Sequence, residues 1–221
     1  GSGLRLCAYH VGHEEDDLSE RLKPRFAQWL QCSRMSKAAL AQRIHQDAID
    51  ILIDLTGYTA KNRLATFADR PAPVQVSWLG YFATTGLTVI DHVLGDSLTA
   101  LPEQDEFFTE HLWRMPHTRL CFTPPEFDVP IAPPPARDQG FVTFGSFNNL
   151  AKLNDAVLST WARILLRMPD SRLLIKAKEL RLAPRAQQLT ERFQALGVNP
   201  ERLHLEAGSR REDYLSTLNQ V

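Results

Sequence analysis

Residues 144–154, FGSFNNLAKLN, carry the clearest indication of the fold. The stretch closes an apolar segment that begins at residue 141, passes through two asparagines and ends at Asn154, a residue type that favours the N-cap of a helix. Apolar side chains then recur at helical spacing, at Val157, Leu158, Trp161, Ile164 and Leu165. The pattern predicts a strand, a loop and a helix in succession, which is the repeating unit of α/β proteins.

The same alternation continues on both sides of this unit. Downstream, it predicts strands at 172–177 and 203–205, a helix that ends at Gly197, and a last helix from residue 212. Upstream, it predicts strands at 4–9, 49–55, 74–79 and 89–94, and helices at 18–30, 37–47 and 61–69, the first of them delayed or kinked by Pro24. The run at 49–55, IDILIDL, is almost continuously apolar, which predicts a strand buried on both faces, as in a parallel sheet.

A proline-rich stretch at 122–139 interrupts this alternation with six prolines. Proline has no backbone N–H and a fixed φ, so the stretch is expected to carry neither helix nor strand and to act as a linker. The sequence therefore predicts two α/β regions, at 4–121 and 140–221, joined by the linker at 122–139.

Composition excludes several classes of protein. The chain has 221 residues and a formal net charge of -1, with 25 Lys and Arg against 26 Asp and Glu, which argues against nucleic-acid binding by bulk charge. It has neither a long apolar run nor a signal-peptide pattern, so neither a membrane span nor secretion is expected. Three cysteines without a CxxC pair argue against a disulfide framework and favour a reducing compartment, the cytoplasm.

Three segments follow predicted strands and could carry chemistry. Residues 144–154 place Lys152 beside a helix N-terminus, which suits a phosphate, although a capped turn with a solvated lysine explains the pattern equally well. Residues 70–86, RPAPVQVSWLGYFATTG, and residues 56–59, TGYT, have glycines where backbone can approach a ligand closely. Asp54 and Asp96 also lie at strand ends, where an aspartate more often caps the next turn than acts as a base.

Two of these segments carry a family resemblance. Residues 70–81, RPAPVQVSWLGY, and residues 145–152, GSFNNLAK, resemble the O-linked N-acetylglucosamine transferase family, including its SPINDLY-like members and most closely its bacterial ones. The resemblance runs from about residue 4 to the end of the chain. It implies a GT-B fold, in which two Rossmann-like lobes hold a nucleotide-sugar between them. It also implies transfer of N-acetylglucosamine from its UDP-sugar to protein Ser or Thr, with inversion and without an essential metal or other cofactor.

The resemblance assigns roles to individual residues. Asn149 and Lys152 would contact the diphosphate, and Lys152 would also stabilise the leaving group during catalysis. The sugar pocket would be formed by Leu79 and Gly80. The uridine site would be formed by Ser209, Arg211 and Tyr214. The acceptor side of the cleft would be formed by Tyr58, Thr59 and Arg63. Arg211 stands where the family has lysine, Tyr214 where it often has histidine, and Ala60 where the animal enzymes have lysine.

Two family motifs are absent from the chain, a His-Pro motif upstream and a His-Thr-Thr type nucleotide motif downstream. The chain is therefore predicted to be a fragment, the C-terminal part of the N-lobe and the N-terminal part of the C-lobe, inactive by itself. Tetratricopeptide repeats could precede it in the parent protein, whose partners would be a UDP-sugar and a protein or peptide acceptor. Two alternatives stay open: a UDP-glucose-dependent glucosyltransferase that modifies asparagine, and a catalytically silent nucleotide-binding or interaction module.

Overall fold

The computed structural model of the chain describes residues 3–221. The chain divides into two compact units, Gly1–Thr123 and Pro124–Val221, which are described separately below. Within the described residues, no helix is both long and apolar enough to cross a membrane.

The strands form three sheets in the described part of the chain, and every pairing in them is parallel. In chain order they are β1 (Cys7–His10), β2 (Gln28–Gln31), β3 (Ile51–Asp54), β4 (Val74–Ser77), β5 (His92–Asp96), β6 (His111–Met115), β7 (Thr143–Ser146), β8 (Arg172–Ala177) and β9 (Leu203–Ala207). The first unit contains the pair β1-β2 and the sheet β3-β4-β5-β6, and the second contains the sheet β7-β8-β9.

The α-helices connect these strands. They are α1 (Asp17–Leu22), α2 (Lys37–Gln46), α3 (Leu64–Phe67), α4 (Ala136–Gln139), α5 (Asp155–Arg167), α6 (Ala183–Ala195) and α7 (Arg211–Thr217). Short 3-10 helices cover Lys23–Arg25, Pro102–Phe107, Leu150–Lys152, Lys178–Arg181, Pro200–Arg202 and Leu218–Gln220.

The core of the first unit lies on one face of its larger sheet. Leu52 of β3 is buried in a cluster with Leu40 and Ile44 of α2 and with Leu64 and Phe67 of α3. The expected burial of the 49–55 strand on both faces is wrong, because Ile51 and Ile53 point to the other face and are 57% and 44% exposed. Alternate residues of a strand face opposite sides of its sheet, so a helix layer on one side buries only every second residue.

The helix expected at 18–30 is also wrong over its second half. Helix α1 ends at Leu22, and the residues around Pro24 form a single 3-10 turn. Proline cannot donate the backbone bond that would continue an α-helix. Trp29 and Leu30 instead belong to β2 and pair with Ala8 and Tyr9 of β1, so long-range pairing prevails over the local helical spacing.

The second unit is built around β8, whose residues from Leu173 to Ala177 are all buried. Leu158 and Leu165 of α5 and Phe193 of α6 pack into the same cluster as Ile175 of β8. The expected N-cap is confirmed, because the Asn154 side chain accepts a hydrogen bond of 3.0 Å from the backbone N–H of Val157. The strand–loop–helix order predicted from residues 144–154 is therefore the observed one.

The proline-rich stretch was expected to contain no helix. This expectation is wrong at its end, where the single helical turn α4 lies. Three consecutive prolines, at 133–135, precede that turn, where their missing N–H groups cost no intrahelical bond. Gly140 ends the turn in the left-handed conformation, with φ of 74°.

Candidate functional site

A cavity of about 340 Å³ lies at the carboxyl ends of β7, β8 and β9 in the second unit. Its lining residues are Phe147, Asn148, Asn149, Lys176, Ala177, Lys178, Glu179, Gly208, Ser209 and Tyr214. The structure thus brings together three of the residues expected at the nucleotide-sugar site, Asn149, Ser209 and Tyr214. Lys152 and Arg211, which were expected there as well, are not among the residues that line this cavity.

Asn149 is fixed by the turn that it starts. It follows β7 and caps the 3-10 helix Leu150–Lys152, with its Oδ1 accepting a hydrogen bond of 2.8 Å from the backbone N–H of Ala151. An asparagine amide whose oxygen is engaged in this way presents its NH₂ group as the donor. Asn149 is exposed, so this donor can reach a ligand at the strand ends.

Lys152 is an exposed side chain at the end of the same 3-10 helix. Its ammonium Nζ lies 3.4 Å from Oδ1 of Asn148, which lines the cavity. The lysine side chain is therefore held only by this weak contact, and Lys152 lies at the end of the segment that begins with Asn149.

The loop after β9 forms the opposite wall. A Cβ atom added to Gly208 would lie 2.9 Å from Cγ and 3.2 Å from the backbone Cα of Lys178, so the close approach of the two loops requires glycine. Tyr214 is half-buried, and its hydroxyl donates a hydrogen bond of 3.1 Å to the carbonyl of Phe147. Its ring meets that of Phe147 edge-on, with centroids 5.4 Å apart, so the tyrosine ties α7 to the β7 loop.

Sequence reasoning missed Lys176, a buried lysine at the end of β8. Its Nζ lies 2.7 Å from Oε2 of Glu206 on β9, and Oε1 of Glu206 lies 2.7 Å from Nε2 of His204. The hydrogen bond from Lys176 lowers the pKa of the Glu206 carboxyl. The one available signal was a charged residue within the apolar run LLIKA, whose five residues are all buried.

In the first unit, the ends of β3 and β4 approach each other through glycines. A Cβ atom added to Gly80 would lie 2.1 Å from the carbonyl oxygen of Leu55, and one added to Gly57 would lie 2.1 Å from Cβ of Tyr81. Leu79 has a positive φ of 68°, which is costly for a residue with a side chain. Leu79 and Gly80 are thus held against the loop that follows β3.

That loop carries two of the residues expected on the acceptor side. The Tyr58 hydroxyl donates a hydrogen bond of 2.5 Å to the carbonyl of Thr85, and its ring lies edge-on to that of Tyr81 at 5.8 Å. The Thr59 hydroxyl donates a hydrogen bond of 2.9 Å to the carbonyl of Thr56. The Thr59 hydroxyl therefore serves its own loop, and the Tyr58 hydroxyl ties that loop to the segment around Thr85.

Arg63 has a comparable role in the backbone framework. Its guanidinium donates hydrogen bonds to the carbonyls of Met35, Cys32 and Ser33, at 3.2, 3.3 and 2.8 Å. Because five fixed donors suit such multiple contacts, the arginine clamps the turn between β2 and α2 onto the segment that precedes α3.

The two aspartates at strand ends cap turns, as expected. Asp54 accepts hydrogen bonds from the backbone N–H groups of Thr56 and Gly57, at 3.1 and 2.8 Å. Asp96 accepts a hydrogen bond of 2.8 Å from the N–H of Arg119 and another of 2.8 Å from the N–H of Thr99. The bond from Arg119, followed by those from Thr99, holds the pKa of the Asp96 carboxyl well below its usual range.

Glu110 is a buried carboxylate that sequence reasoning also missed. Its two oxygens accept hydrogen bonds of 2.7 Å from the backbone N–H of Thr85 and from the hydroxyl of Thr84, and the Thr85 hydroxyl donates to it as well. Burial by itself raises the pKa of Glu110, but the bonds from Thr85 and Thr84 outweigh burial, and the net shift is downward. The hydroxyls of both threonines are therefore engaged by this carboxylate.

Among residues 3–221, no three His, Cys, Asp or Glu side chains are grouped in a way that could hold a metal ion.

Residues 13–122 match the family model described as glycosyl transferase family 41. The chain is 44% identical over 177 residues, or 80% of its length, to the Arabidopsis thaliana protein named probable UDP-N-acetylglucosamine--peptide N-acetylglucosaminyltransferase SPINDLY. It is 49% identical over 78 residues, or 35% of its length, to the Caenorhabditis elegans UDP-N-acetylglucosamine--peptide N-acetylglucosaminyltransferase. These alignments cover 19% and 7% of the two relatives, so the chain spans about a fifth or less of their length.

A solved structure of a mutant O-GlcNAc transferase from Thermobaculum terrenum matches 98% of the chain with a TM-score of 0.86 and 35% identity, and the match covers 41% of that chain. This match confirms the expected α/β fold of the GT-B type, and the relatives confirm the resemblance stated from residues 70–81 and 145–152. The chain is part of the catalytic region of a family 41 glycosyl transferase.

Proposed function

We propose that the chain belongs to a longer cytoplasmic enzyme that transfers N-acetylglucosamine from UDP-N-acetylglucosamine to Ser or Thr residues of proteins. The names of the relatives support this activity. The single structural observation that supports it most is the cavity at the carboxyl ends of three parallel strands, lined by Asn149, Ser209 and Tyr214. In open α/β sheets, nucleotides bind at this edge.

The cavity suits the nucleotide part of the donor. Its volume of about 340 Å³ lies within the range of small-molecule sites. We assign the diphosphate to the side of Asn149 and Lys152, where an amide donor and a flexible ammonium stand on one loop. We assign the uridine to the side of Ser209, Arg211 and Tyr214, on the loop and helix that follow β9.

The chemistry follows from the charge that develops on the leaving group. As the bond between the sugar and the diphosphate breaks, negative charge accumulates on UDP, and a donor placed there lowers the barrier. Lys152 can supply a full positive charge without a metal, and its position at the rim of the loop leaves it free to move onto the diphosphate. We propose direct displacement with inversion: the acceptor oxygen bonds to the sugar carbon as the bond from that carbon to the diphosphate oxygen breaks. UDP leaves with the bonding electrons, and the hydroxyl proton passes to solvent water.

The first unit would supply the sugar and acceptor side. We assign Leu79 and Gly80 to the sugar pocket and Tyr58, Thr59 and Arg63 to the acceptor side of the cleft. The Arg63 guanidinium is engaged with three backbone carbonyls. Its contribution would therefore be to hold the segment that precedes α3, while the backbone of that segment contacts the ligand. In this scheme residues 4–121 belong to the N-lobe, 122–139 to the linker and 140–221 to the C-lobe.

We assign the enzyme to a reducing compartment because Cys7, Cys32 and Cys121 are free thiols. Its partners would be the UDP-sugar and a protein or peptide acceptor, with tetratricopeptide repeats upstream and neither nucleic acid nor membrane as a partner.

A donor comparison tests the proposal. The longer protein is incubated with acceptor peptides and either UDP-N-acetylglucosamine or UDP-glucose, and mass spectrometry identifies the modified residue. Transfer of N-acetylglucosamine to Ser or Thr is the expected result, and Asn149→Ala is expected to weaken it. Transfer of glucose to asparagine would replace the proposal with the alternative enzyme. Binding of UDP without any transfer would indicate a silent module.

A further inference from the structure

The cavity described above has a buried ion pair in its wall. Lys176 is only 5% exposed, and its one hydrogen-bond acceptor among residues 3–221 is Oε2 of Glu206, at 2.7 Å. Lysine is almost never buried to this degree unless it is paired. The pair stands at the ligand end of the sheet, because Lys176 is the penultimate residue of β8 and Glu206 the penultimate residue of β9.

The geometry gives the ammonium spare donors. A lysine ammonium has three N–H groups, and Glu206 accepts one of them. Lys176 is also among the residues that line the cavity, and we infer that the remaining N–H groups are available to a ligand there. Glu206 is in turn fixed on its far side by His204, with 2.7 Å between Oε1 and Nε2, which limits the freedom of the pair.

The charge balance indicates which part of the ligand is contacted. Glu206 neutralises Lys176, so the pair has little net attraction for an anion, and a charged phosphate gains little from it. A neutral oxygen, such as a carbonyl of the base or a hydroxyl of the ribose, needs only a well-placed donor. The pair also lies towards β9, on the side of Ser209 and Tyr214, whereas Asn149 and Lys152 belong to the β7 loop.

We propose that Lys176, oriented by Glu206, is a positioning residue that donates a hydrogen bond to a neutral oxygen of the donor's nucleoside. This inference rests on the proposed function, because it requires the cavity to hold the nucleotide. It adds a specificity-determining contact on β8 to the residues that the resemblance assigned.

The test compares ligands that contain or lack the nucleoside. Isothermal titration of the longer enzyme to which the chain belongs measures the affinity for UDP and for pyrophosphate. The main variant is Lys176→Met combined with Glu206→Gln, which removes the donor without leaving a buried carboxylate unpaired; Lys176→Met alone is measured beside it. Lys37→Met is the control, since Lys37 pairs with one carboxylate, Asp69, outside the cavity.

The double variant is expected to bind UDP about tenfold or more weakly, because a hydrogen bond from a charged donor is lost. Its affinity for pyrophosphate should change less than about twofold, because pyrophosphate lacks the nucleoside oxygen that accepts this hydrogen bond. Lys37→Met should match the parent for both ligands, and thermal unfolding followed by circular dichroism verifies that every variant is folded. A titration with 2′-deoxy-UDP identifies a contact to the ribose 2′-hydroxyl, for which the unsubstituted enzyme and the double variant would bind this ligand alike; a remaining difference assigns the contact to another oxygen of the nucleoside.

Equal losses for UDP and pyrophosphate would overturn the proposal, and so would unchanged binding of both. If the unsubstituted enzyme and the double variant bind UDP equally well, only the role of Lys176 is refuted. Failure of the unsubstituted longer enzyme to bind either ligand refutes the donor site itself, and this proposal with it.

Discussion

Replacing Gly80 with alanine is expected to destabilise the first unit by about 3 kcal/mol, at the upper end of the usual cost of overpacking. The added Cβ would stand 2.1 Å from the carbonyl oxygen of Leu55 and 3.0 Å from Cα of Thr56. Carbon and oxygen in contact normally lie about 3.3 Å or more apart, so the two loops would have to separate by roughly 1 Å. The obstacle is main chain, which cannot move aside by changing a rotamer.

The control for this prediction is Gly86→Ala. Gly86 has a positive φ of 67°, which Gly80 does not, and an added Cβ would meet nothing within 4 Å, so Gly86→Ala has a conformational cost of about 1–2 kcal/mol and no steric one, in contrast to Gly80→Ala. Urea denaturation of both variants, followed by tryptophan fluorescence, gives the two free energies of unfolding. A Gly80→Ala variant within about 0.5 kcal/mol of the parent, the usual scatter for surface substitutions, would refute the argument from close packing.

Three further predictions concern catalysis and pH. In the longer enzyme, Lys152→Ala should lower kcat by about a hundredfold with a smaller effect on KM, and Lys152→Arg should restore little; steady-state values within twofold of the parent would remove Lys152 from the mechanism. The 221-residue chain by itself should not turn over UDP-N-acetylglucosamine, and product formation above an enzyme-free control would contradict this. The lowered pKa of Glu110 means that its stabilising contribution is present above the unfolded value of about 4.3 and is lost as the pH falls through the folded pKa. The stability of the first unit should therefore fall in acid, and Glu110→Gln should flatten that dependence in denaturation curves recorded across the acid range.

The sequence predicted the fold best where local chemistry and periodicity agree. At residues 144–154, the apolar strand, the Asn154 cap and the apolar stripe of α5 all indicate the same βα unit, and the structure has it. At residues 18–30, the apolar spacing predicts a helix that Pro24 opposes, and the helix predicted from the spacing was wrong over its second half. The strand β2 exists because it pairs with β1, at residues some 20 positions earlier in the chain, and no local pattern contains that information.

The candidate site was predictable to the extent that it follows strand ends. Asn149 and Ser209 come from the loops after β7 and β9 and Tyr214 from the helix that follows β9, and parallel strands bring such segments to one edge. Their assignment to a nucleotide rested on the family resemblance rather than on spacing. Glu110 could not be predicted, because its partners Thr84 and Thr85 are more than 20 residues away and only the folded chain places them together.

Three charged residues at strand ends show how structure separates a structural role from a binding one. Asp54 with both oxygens, and Asp96 with Oδ1, accept hydrogen bonds from backbone N–H groups two or three residues further along, which completes the turn that each begins. The other oxygen of Asp96 accepts from the backbone N–H of Arg119. Lys176 makes no such local bond: its partner is on the neighbouring strand, and the lysine is one of the residues that line a cavity. A buried ion pair adds little net stability, so the pair with Glu206 does not by itself explain why a lysine stands at this position. Because Lys176 also completes no turn, its placement has no purely structural explanation. A ligand that accepts its spare N–H groups would account for it, which is why Lys176 is the residue on which binding measurements are most informative.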